Sequence, residues 1–228
     1  MISIKDLKKT YFTKDIETPV LRGIDLKVKK GEFLGIMGKS GAGKSTLMYQ
    51  ISLLDHPTSG EIILNNINTE TLSTEERTQM RLSELGYVFQ DYALIPELSA
   101  SENVMIPLLM RGDSFKEAQN ISLGVLEKIG LLHRKNNKPS QLSGGEQQRV
   151  AIARAIAHNP KILFADEPTA NLDSVSGQSV IELFEDLHKK GQTIVMVTHE
   201  DEYAKYCNRI IHLEDGKIVG ETNHKKQF

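Results

Sequence analysis

The 228-residue sequence has no tryptophan, a single cysteine and no long hydrophobic run. Cys207 has no second cysteine to pair with, so no internal disulfide forms, and this fits a reducing compartment. No stretch reaches 18 consecutive apolar residues, so no membrane-spanning helix is predicted. Residues 1–6 do not resemble the apolar core of a secretory signal peptide. Any membrane role is therefore expected to depend on a partner protein.

The charges nearly cancel. Lys and Arg total 28 and Asp and Glu total 30, which gives a net charge of −2 and a pI near 6.4. Proteins that bind nucleic acid usually carry clustered basic charge, so no nucleic-acid partner is expected. The composition is 39% hydrophobic and 25% charged, as in a globular chain with one large domain or two closely packed lobes.

Residues 38–46 read Gly-Lys-Ser-Gly-Ala-Gly-Lys-Ser-Thr and fit the phosphate-binding pattern G-x-x-x-x-G-K-[ST]. An apolar, strand-like segment (32–37) precedes them and a helix-like segment (46–51) follows, which is the context that this P-loop requires. The glycines allow successive backbone N–H groups to point at one anion. Lys44 is expected to reach the β- and γ-phosphates, and the Ser45 hydroxyl to bind Mg²⁺. The sequence therefore predicts a nucleotide-binding protein.

The rest of the chain divides into two kinds of sequence. Residues 2–30 are predicted to form strands with turns between them, and residues 24–29 alternate apolar and polar positions, as a half-buried strand does. The continuous apolar run at 162–165 is typical of a parallel strand buried on both faces, and residues 193–197 are predicted to form the next strand. Between 91 and 158 helical spacing replaces these signals, which predicts an inserted helical lobe. The helix after the P-loop is expected to end near Leu54, and a helix is expected from Gln147 to Ala157.

Two carboxylates, Asp166 and Glu167, follow the buried 162–165 strand. A P-loop enzyme needs a carboxylate to hold Mg²⁺ near the γ-phosphate, and Asp166 is suitably placed for it. Glu167 is then a candidate general base that orients the attacking water. The alternative is that one of the two carboxylates caps the following helix.

The segment Ser143-Gly-Gly-Glu146 is a capping box at the start of a helix. A capping box does not require glycine at both middle positions. Gly144 and Gly145 leave the N–H groups of the helix end uncovered, which is the arrangement of a second anion site. Two anion-binding helix ends in one chain predict that two chains meet around shared nucleotide.

These motifs together resemble the ATP-binding cassette (ABC transporter) family over about residues 2–220. The resemblance implies an α/β fold: a P-loop NTPase cassette with a RecA-like core, an N-terminal antiparallel β subdomain and an inserted helical subdomain. The core lobe is expected at 1–90 and 159–228, and the helical lobe at 91–158. The resemblance rests on the P-loop, Gln90, the segment 142–146, the Asp166-Glu167 pair, the segment 171–173 and His199.

The resemblance also implies roles for individual residues. Lys44, Gln90, Glu167 and His199 are expected to act in catalysis, His199 at the γ-phosphate. Mg²⁺ is expected at Ser45, Gln90 and Asp166. ATP is expected to contact Tyr11 and Val20 at the base and Ser143, Gly145, Gln147 and Asp173 from the other copy; the full predicted set is Tyr11, Val20, Gly38, Lys39, Ser40, Gly41, Ala42, Gly43, Lys44, Ser45, Thr46, Gln90, Ser143, Gly145, Gln147 and Asp173.

Several of these residues have simpler interpretations. Tyr11 is an aromatic residue after a strand, which is more often part of a core, and Phe12 competes for its role. His199 is also consistent with a helix-capping position, and Gln90 with an ordinary polar strand end. The apolar stretch 104–110 is expected to pack in the core, or else to line a groove for a partner beside Gln90.

Within the family the chain resembles the subgroup of lipoprotein release, macrolide export, antimicrobial-peptide export and the FtsE division system. The predicted protein is an ATP-hydrolysing homodimer bound to an integral membrane permease, cytoplasmic and peripheral on the inner face of the plasma membrane. It would drive export or extraction, or mechanotransmission. The alternatives are a soluble ATPase of the same family, acting in iron–sulfur assembly or on ribosomes or DNA, and a non-hydrolysing nucleotide switch.

Overall fold

The computed structural model describes residues 1–14 and 16–224. The strands found there form two separate sheets. They are β1 (Ile2–Thr13), β2 (Ile16–Val28), β3 (Phe33–Met37), β4 (Ser59–Leu64), β5 (Ile67–Asn68), β6 (Leu85–Val88), β7 (Ile162–Asp166), β8 (Thr193–Val197), β9 (Arg209–Glu214) and β10 (Lys217–Asn223). The helices are α1 (Lys44–Ile51), α2 (Thr74–Glu84), α3 (Ala100–Arg111), α4 (Phe115–Lys128), α5 (Gly144–Ile156), α6 (Ser174–Lys189) and α7 (Asp201–Ala204).

The smaller sheet is antiparallel, with the strand order β2-β1-β4-β5. Its long hairpin pairs Ile2 with Val28 at one end and Thr13 with Ile16 at the other. Apolar side chains along β1, β2 and β4 are buried on one face, as their alternation predicts. That face packs against the larger sheet and α1, and together they form the first core cluster.

The larger sheet has the order β10-β9-β3-β8-β7-β6. Its strands run parallel except β10, which forms an antiparallel hairpin with β9. Every residue of β3, β7 and β8 is buried, and for β7 this confirms the interpretation of the continuous apolar run at 162–165. The second core cluster covers the other face, where α6 contributes Val180, Ile181 and Phe184. Complete burial of a side chain such as Phe184 contributes roughly 1.5–3 kcal/mol to folding.

The strand order decides where polar side chains can meet. β3, β8 and β7 are adjacent and parallel, so their carboxyl ends lie at one edge of the sheet. The P-loop follows β3, Asp166 is the last residue of β7, and His199 lies two residues beyond β8. In open α/β sheets ligands bind beyond the carboxyl ends of the strands.

Gly216 connects the P-loop to both sheets through backbone hydrogen bonds. It lies in the β9–β10 turn with φ +75°, a conformation that favours glycine. Its N–H donates to the Ala42 carbonyl at 3.1 Å, and its own carbonyl accepts from the Arg22 N–H at 2.9 Å. A Cβ at this position would overlap the Val20 carbonyl oxygen. Only glycine therefore lets the turn pack this closely against β2.

The predicted insertion between residues 91 and 158 holds α3, α4 and α5 and short 3-10 turns at Leu132–Arg134 and Pro139–Gln141. Its core is aliphatic and is the third cluster. Helix α5 joins this lobe to the larger sheet, because Val150 and Ala153 face the lobe while Ile152 and Ala155 face the sheet. The helical lobe is therefore packed firmly onto the α/β core.

Two predicted helix boundaries need correction. Helix α5 begins at Gly144 and not at Gln147, because Ser143 is its N-cap and the capping box includes the first turn. Helix α1 ends at Ile51, before Leu53 adopts a positive φ of 63°, and not near Leu54. The predicted core lobe extends to residue 228, of which 225–228 lie outside the described residues. In the described parts of the chain, no helix is both long and apolar enough to cross a bilayer.

Candidate functional site

The P-loop connects the end of β3 to the start of α1. Gly41 and Gly43 have φ values of +78° and +100°, and Gly43 is the left-handed N-cap of α1. These conformations turn the N–H groups of the loop and of the helix start towards one side, where an anion can bind. Lys44 is only 8% exposed, and its ammonium donates to the carbonyl oxygens of Gly38 at 2.9 Å and Lys39 at 3.1 Å. Of the two lysines in the loop, Lys44 is thus the buried one, held by the carbonyl groups of the loop itself.

Asp166 lies directly beside the P-loop. Its Oδ1 accepts a hydrogen bond from the Ser45 hydroxyl at 3.2 Å, and its Oδ2 accepts one from the Tyr87 hydroxyl at 3.4 Å. Burial raises the pKa of Asp166, the Ser45 hydrogen bond lowers it and the neighbouring Glu167 charge raises it, and the net shift is upward. Because burial disfavours the charged form of this carboxylate, a nearby cation would stabilise that form.

The pair of Ser45 and Asp166 fits a Mg²⁺ ion. Both supply the hard oxygen atoms that Mg²⁺ prefers, and they are already in contact. No group of three or more His, Cys, Asp or Glu side chains that could hold a metal occurs among the described residues. Mg²⁺ is commonly bound by one or two protein ligands together with substrate phosphates and water.

Glu167 and His199 form a second pair of polar side chains, close to Lys44. One Glu167 carboxylate oxygen lies 3.9 Å from Lys44 Nζ, and the other lies 3.4 Å from His199 Nδ1. Glu167 has a positive φ of 43°, unusual for a non-glycine residue, and its N–H donates to the Val197 carbonyl at 3.1 Å. That hydrogen bond to the end of β8 holds the backbone in a conformation that directs Glu167 to the P-loop lysine.

These side chains border a cavity of about 790 Å³. That volume lies in the range of cofactor and small-molecule sites, about 300–1,000 Å³. Most of the predicted nucleotide-binding and catalytic residues line it: Val20, Gly38, Lys39, Ser40, Gly41, Gly43, Lys44, Ser45, Thr46, Gln90, Glu167 and His199. Ala42 does not; it is buried, and its N–H donates within the loop to the Lys39 carbonyl at 3.2 Å.

Tyr11 lies at the margin of this cavity. It is not among the lining residues, but its hydroxyl lies beside that of Thr46 in the P-loop and donates to Asp55 Oδ2 at 3.2 Å. Tyr11 is 39% exposed and Phe12 is 64% exposed, so neither is a core residue. The core interpretation of Tyr11 is therefore wrong, and of the two aromatics Tyr11 is the one anchored to the P-loop region.

The predicted residues of the second anion site lie elsewhere. Ser143 is exposed and caps α5: its Oγ accepts from the Glu146 N–H at 3.3 Å, while Glu146 accepts from the Ser143 N–H at 2.8 Å. Gly145 is buried against α6, where an added Cβ would lie 2.9 Å from Ser176 Oγ. Gln147 donates to the Leu142 carbonyl at 3.1 Å. None of these residues lines the P-loop cavity.

Asp173 accompanies this group. It is exposed and is the N-cap of α6, accepting from the Ser176 N–H and hydroxyl at 2.9 Å each. The hydrogen bond from the Ser176 N–H lowers the pKa of Asp173. Since Ser176 also faces Gly145, the start of α6 and the start of α5 lie side by side. The tertiary structure thus brings two distant segments to one exposed surface.

Two residues of the site were missed by sequence reasoning. Tyr87 donates to Asp166 because β6 pairs in parallel with β7, opposite Phe164. Asp55 holds Tyr11 because β1 runs beside the end of α1. Neither residue belongs to a local motif, so only sheet register and chain packing reveal them.

A parallel sheet with a glycine loop, an embedded lysine and a carboxylate at the end of the neighbouring strand defines a P-loop NTPase. The sequence profile described as "ABC transporter" matches residues 21–170. The chain belongs to the ABC transporter family and is an ATPase of that family. This confirms the family resemblance, the fold class and the expected enzymatic activity.

Known relatives refine this assignment. The chain is 50% identical to the lipoprotein-releasing system ATP-binding protein LolD of Aquifex aeolicus, over 89% of this chain and 90% of the relative. It is 44% identical to the macrolide export ATP-binding/permease protein MacB of Bdellovibrio bacteriovorus, over 97% of this chain but only 34% of the relative. A solved ATP-binding cassette dimer in a post-hydrolysis state, bound to ADP and Pi, superposes with a TM-score of 0.92 at 42% identity, covering 99% of this chain and 100% of the other. The predicted LolD- and MacB-like subgroup is thereby confirmed.

Proposed function

We propose that two copies of this chain close around two ATP molecules and that this closure drives an integral membrane permease. One observation carries the proposal. The P-loop cavity is bordered by catalytic groups of one chain, while the Ser143 helix end is exposed and lies outside that cavity. A second copy that presents its Ser143 end to this cavity would supply the remaining donors for the γ-phosphate.

In this arrangement the P-loop residues position the substrate. The N–H groups of the loop and Lys44 would hold the β- and γ-phosphates, as their convergence on one anion site favours. Ser45 and Asp166, with Gln90 at the cavity wall, would hold Mg²⁺, which neutralises phosphate charge when bound. Val20 and Tyr11 would receive the adenine.

Glu167 would orient and polarise the attacking water as the general base. Its carboxylate lies between Lys44 and His199, at 3.9 Å and 3.4 Å, so it is held at the side of the cavity where the γ-phosphate would lie. His199 would contact that phosphate and respond to its loss. Ser143, Gly145, Gln147 and Asp173 of the other copy would stabilise the charge that develops on the transferred phosphoryl group.

The permease is expected to bind beside Gln90. Helix α3 supports this expectation only in part, because Val104, Met105 and Leu108 are buried in the helical lobe. At the end of the same helix Leu109 and Met110 are 41% and 63% exposed. The predicted apolar stretch 104–110 thus contributes to the lobe core at one face and leaves apolar surface for a partner at its end.

The names of the relatives suggest the substrate class. LolD is named for lipoprotein release and MacB for macrolide export. We infer that this chain drives export or extraction of a lipoprotein, peptide or drug-like molecule, or mechanotransmission, from a peripheral position on the inner face of the plasma membrane. A soluble ATPase that acts without a permease is the rival outcome.

The test uses Glu167→Gln, which removes the general base and keeps the shape of the side chain. We expect ATP binding to persist, turnover to fall at least about 100-fold, and the chain to sediment as a dimer with ATP and Mg²⁺. The matched control is Glu167→Gln combined with Lys44→Met, which is expected to stay monomeric. A monomeric Glu167→Gln chain that still binds ATP would contradict the shared-site arrangement.

The same variant identifies the partner. Glu167→Gln loaded with ATP and Mg²⁺ serves as bait in detergent-solubilised native membranes, and the Lys44→Met double variant as the matched blank. Specific recovery of an integral membrane permease supports the transport assignment. Recovery of soluble partners alone would move the function to the soluble ATPases of the family.

A further inference from the structure

Asp55 follows α1 and receives hydrogen bonds from several segments. Its Oδ2 accepts from the Tyr11 hydroxyl at 3.2 Å and from Gln50 Nε2 at 3.0 Å, and it lies 2.8 Å from Lys9 Nζ. Its Oδ1 accepts from the His56 N–H at 2.7 Å. One carboxylate therefore joins β1 to the end of the P-loop helix.

Lys9 completes a closed set of contacts with Asp55 and Tyr11. Its ammonium lies 4.8 Å from the centre of the Tyr11 ring and donates to the His56 carbonyl at 2.6 Å. Lys9 and Tyr11 both reach Asp55 Oδ2, so their side chains lie on the same side of β1. An ammonium over an aromatic face is attracted by the π electrons, and the Lys9 side chain is only 12% exposed. The tyrosine is thus held at its hydroxyl and at one face.

The carboxylate is charged in this setting. Burial raises the pKa of Asp55, but the hydrogen bonds from Lys9, the His56 N–H and Gln50 outweigh it and hold the pKa below its ordinary value. Tyr11 itself remains 39% exposed, so ring surface is available to a ligand. A ring fixed before binding loses less conformational freedom when a base stacks on it.

We propose that Asp55 and Lys9 are positioning residues that fix the Tyr11 ring for adenine and so set the affinity for the base independently of the phosphates. The proposal rests on one part of the proposed function, namely that Tyr11 contacts the adenine base. The hydrogen bonds of the Asp55 side chain come from Tyr11, from Gln50 near the end of α1 and from the His56 N–H, and none of these residues belongs to the P-loop. Loss of Asp55 should therefore weaken base recognition selectively.

The experiment compares two ligands by titration calorimetry on the full chain with Mg²⁺: ADP, which has the base, and inorganic tripolyphosphate, which does not. Asp55→Ala is expected to weaken ADP binding about threefold to tenfold and leave tripolyphosphate affinity unchanged. Asp55→Asn retains an oxygen that can accept from the Tyr11 hydroxyl, so it should recover part of the loss. Lys9→Met, which keeps the chain length and removes the charge, should reproduce the selective loss in weaker form.

A double-mutant cycle links the effect to the ring. In a Tyr11→Ala background, which has no ring to position, Asp55→Ala should cause no further loss of ADP affinity. Equal weakening of ADP and tripolyphosphate, or additive losses in the cycle, would overturn the proposal. Thermal melting of each variant checks that it is folded, and Lys9→Met provides the readout if Asp55→Ala is not.

The experiments distinguish failure of the Asp55 positioning role from failure of the proposed function. If Tyr11→Ala leaves ADP affinity unchanged, both the base role of Tyr11 and the positioning role of Asp55 are wrong, while ATP-dependent dimerisation of Glu167→Gln can still occur. If Glu167→Gln stays monomeric with bound ATP, the shared-site function is wrong, and the selective ADP loss can still be measured on the monomer.

Discussion

The P-loop corner and the Ser143 helix end are the two helix termini predicted to bind anions, but they differ in how many of their polar groups are paired within the chain. Lys44 and Asp166 are 8% and 5% exposed. The Lys44 ammonium donates a hydrogen bond to the Gly38 carbonyl, and the Asp166 carboxylate accepts one from the Ser45 hydroxyl. Ser143 and Asp173 are exposed, and the hydrogen bonds shown for their side chains are local helix caps. The first site is built by three parallel strands, whereas the second is built by two helix starts on the surface.

This difference in burial predicts that the two regions serve different steps: nucleotide binding at the P-loop and dimerisation at the Ser143 helix end. A phosphate-binding site has to be preorganised, and burial between strands provides this because packed interiors hold side chains in fixed positions. A surface that receives a second copy has to stay accessible until that copy arrives. Mutations in the two regions should therefore fail in different ways: one at nucleotide binding and the other at dimerisation.

The largest effect is expected from Lys44→Met. The substitution keeps the apolar part of the side chain and removes the only charge at the centre of the P-loop, so phosphate binding and turnover should fall at least about 100-fold. Calorimetry with ADP and a phosphate-release assay measure the two losses. Lys39→Met, on the exposed part of the same loop, is the matched control and should cost far less. Equal losses in both variants would contradict a special role for Lys44.

The next effect tests the exposed helix end. Ser143→Arg places a bulky side chain there, so ATP-dependent dimerisation and turnover should fall at least about tenfold, while ADP binding to the monomer remains unchanged. Sedimentation of Glu167→Gln with and without Ser143→Arg measures the dimer, and calorimetry measures the binding. Loss of ADP affinity in the monomer would show that the two regions are not separable.

Mixing the two variants sharpens the comparison. In a mixed dimer of Lys44→Met and Ser143→Arg chains, one shared site carries both defects and the other carries neither. Turnover should therefore rise on mixing above that of either variant alone. Absence of any recovery, with mixed dimers demonstrated by sedimentation, would exclude sites shared between chains.

The smallest expected effect is on the pH dependence of the free energy of unfolding. The hydrogen bond from the Ser143 N–H lowers the pKa of Glu146, so its folded-state pKa lies below the unfolded value. Such a carboxylate stabilises the folded state at neutral pH, and that contribution is lost as the pH falls through the lowered pKa. Glu146→Gln should reduce the free energy of unfolding by under about 1 kcal/mol at pH 7. At pH 3 the difference between the variant and the wild type should be smaller than at pH 7.

Urea unfolding at both pH values measures this effect. Glu182→Gln, on the exposed side of α6, is the matched control. A Glu146→Gln difference that persists unchanged at pH 3 would assign its cost to packing and not to charge.

Local sequence was sufficient for much of the fold. Strand β8 has the predicted bounds of 193–197, because the residues that indicate a strand are adjacent along the chain. The start of α5 was predicted three residues too late, since the glycines after Ser143 resemble a loop although they form the first turn of a capped helix. The core interpretation of Tyr11 failed because an aromatic residue in a strand does not reveal which face its neighbours will cover.

The sequence by itself determined the P-loop, the Asp166-Glu167 pair and the capping box at Ser143, because each depends on residues that are adjacent along the chain. Only the tertiary structure decided that Tyr87 contacts Asp166, that Asp55 and Lys9 hold Tyr11, and that the Ser143 end lies outside the P-loop cavity. Those contacts join residues that are far apart in sequence, and strand order, register and helix packing bring them together. No periodicity in a single segment encodes them, since they arise only when several segments pack against one another.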